Sequence, residues 1–130
     1  MASTTGTSHI GGVATVAVPV KDHERALDFY CATLGFEKRI DAPFGDGLRW
    51  IEVAPAGATT TIALAPPGDV PVGVDTGIRL STTDCEADHR TLRQRDVEID
   101  EILRWPGVPP MFSLRDPDGN TLYVVESVPG

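Results

Sequence analysis

The chain has 130 residues, 41% of them hydrophobic, and a formal net charge of −8. This sets an expectation of one domain with a real hydrophobic core and excludes the disordered and fibrous classes. No run of Lys or Arg makes a basic stripe, so nucleic acid and anionic membranes are poor partners, and no apolar stretch approaches the roughly 20 residues of a membrane span.

Residues 1–12 are rich in Ser, Thr and Gly and lack an apolar core of the secretory type, so they are expected to form a mobile tail on a cytoplasmic protein. Cys31 and Cys85 lack metal-type spacing and are expected to be reduced thiols. From Val13 to Val20 the chain alternates as a strand does. Asp22 is a good N-cap for a helix from His23 to Leu34, which Gly35 ends. Strands are predicted over Phe36–Ile40, Leu48–Val53 and Thr59–Ala65, with a loop at Ala42–Gly47 carrying Phe44 and a turn at Pro55-Ala56-Gly57. Residues 66–74, with three prolines and two glycines, form a linker.

The order then restarts. A strand is predicted over Gly77–Thr82 and a helix over Glu86–Arg95 capped by Asp84. Strands follow over Val97–Leu103 and Phe112–Arg115, separated by a Pro/Gly loop at Trp105–Pro110. Asp116-Pro117-Asp118-Gly119-Asn120 is dense turn chemistry, and it closes a hairpin onto the strand Thr121–Val125. Both halves therefore read βαβββ, residues 13–65 and 75–128, within one domain spanning 13–130. The predicted class is α+β with two tandem modules.

The residues VAVPVKDHERALDFYCATLGFE (Val16 to Glu37) and FSLRDPDGNTLYVVE (Phe112 to Glu126) resemble the vicinal oxygen chelate superfamily. That group includes glyoxalase I, bleomycin- and fosfomycin-resistance proteins and extradiol dioxygenases. The resemblance implies curved mixed sheets around a shared cleft, and homodimers. Fold resemblance leaves the chemistry open, because one fold hosts many activities. The enzymes of this group hold a divalent metal with His and Glu from up to four strands. The matching positions here are Thr15, Ala63, Gly77 and Tyr123. Gly and Ala offer no donor, a neutral hydroxyl is a poor ligand, and Tyr binds well only as phenolate, so no metal and no other cofactor is expected. His9 lies in the tail, and His23 and His89 are expected on the outer surfaces of helices.

If those four positions face the cleft, strand alternation brings Ala17, Thr61, Arg79, Ser81, Thr121 and Val125 with them, and Leu48, Trp50 and Glu52 from the third strand. The candidate ligand-binding residues are Thr15, Trp50, Glu52, Arg79, Phe112 and Tyr123. Arg79 suits a carboxylate or phosphate, and Glu52 suits a base or a cationic ligand. A structural ion pair between Glu52 and Arg79, with Trp50 and Tyr123 filling core, is the plain alternative. The two loops would serve as lids or partner contacts. The function expected is metal-free binding or sequestration of a small organic ligand. The alternative is a glyoxalase-like enzyme of the lyase, isomerase or dioxygenase class, working without metal or with displaced ligands from Glu52, Asp75, Asp116 or Glu126.

Overall fold

The computed structural model describes residues 8–43, 45–68 and 71–127. Most of the predicted tail, Phe44 of the first loop, residues 69–70 of the linker and residues 128–130 lie outside them. The first module runs β1 (Thr15–Pro19), α1 (His23–Leu27), β2 (Glu37–Pro43), β3 (Arg49–Ala54) and β4 (Thr61–Ala65). The second runs β5 (Asp75–Thr82), α2 (Cys85–Gln94), β6 (Glu98–Ile99), β7 (Met111–Arg115) and β8 (Thr121–Glu126). Each module is a mixed four-stranded sheet of the same design. Sheet one has the order β1-β4-β3-β2, and sheet two has β5-β8-β7-β6. The first strand of each pairs in parallel with the last, and the other pairs are antiparallel. Among the described residues no helix is long and apolar enough to cross a membrane.

The two helices start as their sequences require. The Asp22 side chain accepts from Arg25 N at 3.1 Å, and that of Asp84 accepts from Ala87 N at 3.0 Å. The predicted single helix from His23 to Leu34 changes pitch. After Leu27 it continues as a π-helix, Asp28–Thr33, in which Leu34 N donates to Phe29 O at 2.9 Å. The wider turn buries Phe29 and Tyr30 together, their rings edge to face at 5.3 Å. In α2, Cys85, His89 and Leu92 fall at i, i+4 and i+7 and all face inward. His89 is therefore not the surface histidine expected. Its Nε2 lies 2.9 Å from Asp100 O, and its ring meets Phe112 edge to face at 5.0 Å. His23 is half-buried, with Nε2 3.1 Å from Leu64 O.

Two strand boundaries differ from expectation. β2 runs on to Pro43, at the sheet edge, where a missing N–H costs no ladder bond. The strand predicted over 97–103 shrinks to Glu98–Ile99, and an isolated bridge follows at Leu103, which pairs with Met111. Between them Asp100 N donates to Ser113 O at 2.9 Å, and the Asp100 carboxylate accepts from Ser113 Oγ and Arg115 Nη1.

One core serves both modules. Val18, Ile51, Val53 and Leu64 from sheet one join Leu80, Leu114, Leu122 and Val124 from sheet two in a single apolar cluster that includes residues of both helical segments. A polar knot closes one end of it. Tyr30 donates to Asp116 Oδ2 at 2.8 Å, and buried Asn120 donates to Pro19 O at 2.8 Å and to Asp116 Oδ2 at 3.0 Å. The Asn120 carbonyl accepts from Gly73 N and Val74 N, fixing the end of the linker, and Arg25 pairs with Asp118 at 3.1 Å. Asn120→Ala strips these bonds and leaves buried main-chain groups without partners. It is expected to cost about 3 kcal/mol, read as a lower midpoint in urea with an unchanged slope.

Candidate functional site

On β3, Ile51 and Val53 point into the core and are fully buried, which turns Trp50 and Glu52 to the outer face of sheet one. Register completes that face. Glu52 lies opposite Ala63 on β4 and Ile40 on β2, and Trp50 lies opposite Ala42. On β1, Thr15 and Ala17 share the face and are exposed, with Thr15 Oγ1 donating to Thr61 O at 3.1 Å. Small residues thus leave open ground around one acid. The Glu52 carboxylate is fixed from both sides: Thr61 Oγ1 donates to Oε1 at 2.6 Å, and Trp50 Nε1 donates to Oε2 at 2.8 Å. These two bonds, Thr61 first, hold Glu52 below its usual carboxylate range.

Sheet two presents a different outer face. Arg79 on β5 lies opposite Tyr123 on β8, which lies opposite Ser113 on β7. The Arg79 guanidinium sits 4.8 Å from the Tyr123 ring centre and donates to Gly77 O at 2.9 Å. The Tyr123 hydroxyl donates to Asp75 Oδ2 at 2.7 Å, and Gly77 N donates to Asp75 Oδ1 at 3.1 Å. These bonds hold Asp75 down, and the Asp75 carboxylate pushes the Tyr123 phenol up. Arg115 pairs with Asp100 at 3.0 Å. Gly77 takes φ 70°, which only glycine adopts freely, where β5 slips register between Asp75 and Arg79.

Of the six predicted ligand residues, the structure gathers Thr15, Trp50 and Glu52 on one face and Arg79 and Tyr123 on another. No strand of one sheet pairs with a strand of the other. The alternative reading, a Glu52–Arg79 ion pair, does not form within the chain, since each side chain has its partners on its own sheet. Phe112 belongs to neither face. It lies directly opposite Val124, a core residue, so it shares that residue's inward direction and is 1% exposed. Alternation along the hairpin carried that signal. It also carried Ser113 and Arg115, which the sequence reading did not select. Asp116 serves its own turn, and Glu126 accepts from Cys85 N at 3.0 Å at the start of α2.

The four positions that correspond to metal ligands do not fit a divalent transition metal. Ala63 and Gly77 carry no donor, the Thr15 hydroxyl is engaged by Thr61, and the Tyr123 phenol is shifted away from the phenolate. Among the described residues no group of three His, Cys, Asp or Glu is placed to hold a metal ion. A separate groove of about 690 Å³ opens between the modules on the core side, lined by Val16, Ile62, Ile78, Leu80, Leu92 and Val124 among others. Of the six predicted residues only Arg79 reaches it.

Comparison with known proteins agrees with this architecture. The sequence profile of the Glyoxalase/Bleomycin resistance protein/Dioxygenase superfamily matches residues 12–124. The structure is similar to TnmS3, an antibiotic binding protein from Streptomyces sp. CB03234, with 35% identity, a TM-score of 0.84, and coverage of 93% of this chain and 99% of that one. It is similar to a superfamily member from Sphaerobacter thermophilus, with 36% identity, a TM-score of 0.85, and coverage of 91% and 98%. A 54-residue stretch is 41% identical to the Bacillus subtilis protein YetH, covering 42% of this chain and 45% of that protein's length.

Because Glu52 is depressed by its hydrogen bonds, the stability it contributes is present above its unfolded value and is lost as pH falls through the lower folded value. Side-chain carbonyl NMR is expected to show Glu52 titrating below the ordinary carboxylate range. In Thr61→Val the midpoint moves up, and an unmoved midpoint contradicts the assignment.

Proposed function

We propose, for a chain that belongs to the Glyoxalase/Bleomycin resistance protein/Dioxygenase superfamily, that it is a metal-free binding protein for a small organic molecule. The binding cleft is made from the outer face of sheet one of one copy and the outer face of sheet two of a second. The observation that carries this reading is the division of the polar and aromatic outer-face residues between two unpaired sheets that back onto one core: Trp50 and Glu52 on one, Arg79 and Tyr123 on the other. Each half alone is an open surface, whereas small-molecule sites are concave and enclose their ligand.

Two further features support a homodimer. β1 and β5 each have a strand neighbour on one side only, and a free strand edge is a template for pairing. The apolar groove is walled by Val16, Ile78 and Leu80 from these same edge strands, so a second copy seated there would cover groove and edges together. Trp105 and Leu103, 64% and 48% exposed, stand on the loop leading to Met111, which suits a ligand wall or a subunit contact. The likeness to an antibiotic binding protein supports a small organic ligand. The cytoplasmic location belongs to the same proposal, and both cysteines are free thiols, the state a reducing compartment maintains.

The competing reading, a glyoxalase-like enzyme working without metal, asks Glu52 or Tyr123 to move a proton. Glu52 is shifted down and Tyr123 up, each away from neutral pH, whereas efficient acid–base groups titrate near it. Binding is the better use of both.

Subunit mixing tests the shared cleft. A ligand that raises the melting temperature of the wild type in a metabolite and antibiotic screen is expected to lose that effect with Trp50→Ala and with Arg79→Ala homodimers. Mixing the two variants regenerates one intact cleft per heterodimer and restores binding. Absence of restoration, or a monomer by light scattering, overturns the shared site. Elemental analysis after incubation with nickel, zinc, iron and manganese is expected to find less than stoichiometric metal, and a stoichiometric ion overturns the metal-free part.

A further inference from the structure

The charges of the two outer faces are balanced differently. On sheet two the cations have local partners: Arg115 is ion-paired with Asp100, and Arg79 is stacked on Tyr123 within the field of Asp75. On sheet one Glu52 stands alone in charge. Its two partners, the Thr61 hydroxyl and the Trp50 indole, are neutral donors, and among the described residues it has no ion pair. Neutral donors orient a carboxylate and keep it ionised, but they do not cancel its charge. Each carboxylate oxygen receives one of these bonds, and each can still accept another.

The ground around Glu52 makes this charge decisive for what can cover it. Ala63 and Ile40 lie directly opposite it on either side, Ala42 lies opposite Trp50, and Ala17 shares the face. Ala63 is buried, and a ligand lying over the accessible Ala17, Ile40 and Ala42 strips water from Glu52. While Arg79 of the second copy stays stacked on its own Tyr123, a neutral or anionic ligand would leave a buried, unanswered negative charge, which is costly, whereas a cation offsets it. The indole of Trp50, tied to the carboxylate through its N–H, offers an aromatic surface beside the charge and favours both a flat ring and a cationic group. The overall charge of −8 draws cations toward the protein.

Resting on the ligand-binding reading above, we propose that Glu52 anchors a positively charged group of the ligand, a protonated amine or an amidinium, while Trp50 takes the ligand's aromatic body. The molecule bound is an aromatic cation. Thr61 is a positioning residue that acts through Glu52.

Two probes of nearly equal outline test this: 9-aminoacridine, planar and cationic at neutral pH, and acridone, its neutral counterpart, titrated calorimetrically into the full-length protein. The wild type is expected to bind the cation at least about tenfold more tightly than the neutral probe. In Glu52→Gln, which keeps the shape of the side chain, that preference vanishes while acridone affinity stays unchanged. Trp50→Ala weakens both probes. Melting curves verify that each variant is folded. Equal affinity of the two probes for the wild type overturns the proposal, as does a preference that survives in Glu52→Gln, which would reflect net charge alone. Cation preference appearing only in Arg79→Ala also overturns it, because Arg79 of a second copy would then neutralise Glu52. Acridone binding through Trp50 without cation preference leaves the ligand-binding reading standing and removes this inference, whereas no binding of either probe removes both.

Discussion

The hydroxyl of Tyr30 and the carboxylate of Asp116 meet in the interior, 2.8 Å apart, and most of the architecture depends on that contact. Tyr30 is on the first module and fully buried; Asp116 opens the turn of the last hairpin on the second. Burial first, then the charge of Asp116, pushes the Tyr30 phenol far above its usual range, so it remains a donor at every pH the fold survives. The same carboxylate accepts from the backbone of Asp118 and Asn120, which shapes the turn itself. One acid therefore sets the hairpin geometry and attaches it to the other module. A buried charge without these donors would be expensive, so the turn and the helix are stable only together.

This coupling explains why the outer faces stay open. The helical segments and most of the inner faces of both sheets pack into the common core, apart from the groove between the modules. The far side of each sheet carries the residues of the candidate site. The positions that hold a metal in enzymes of this superfamily now carry small or engaged side chains. Sheet one carries a single oriented carboxylate among small residues, while on sheet two Arg115 is ion-paired with Asp100 and Arg79 is stacked on Tyr123.

The element order was legible in the sequence because strand alternation, Asp caps and Pro/Gly punctuation are local signals, and the structure follows them closely. Face assignments on β3, β5 and β8 were legible for the same reason. The misplacement of Phe112 and His89 came from position, not pattern: one follows a loop and the other sits among polar helix residues. Yet the parity of Phe112 with Leu114, and the spacing of His89 from Cys85 and Leu92, place both inside. The π-helical turn after Leu27 left no mark in the hydrophobic period, since Phe29 and Tyr30 suit either pitch. The shortening of β6 to two residues is not marked by the propensities of residues 97–103. Alternation says which residues share a face of one sheet. It is silent on where the other sheet lies, so the separation of Trp50 and Glu52 from Arg79 and Tyr123 emerged only in three dimensions.

That separation bears on how such a protein would work in a cell. In the proposed dimer, where the recognition surface is split between two chains, the number of complete sites at low expression rises with the square of chain concentration, so a tenfold increase in synthesis gives about a hundredfold more capacity. The ligand would in turn act as an adhesive, drawing together the very chains that enclose it. Protection or sequestration would then switch on sharply with gene dosage instead of rising in proportion to it, and a related chain able to join the pair would create a hybrid pocket with a specificity neither parent has.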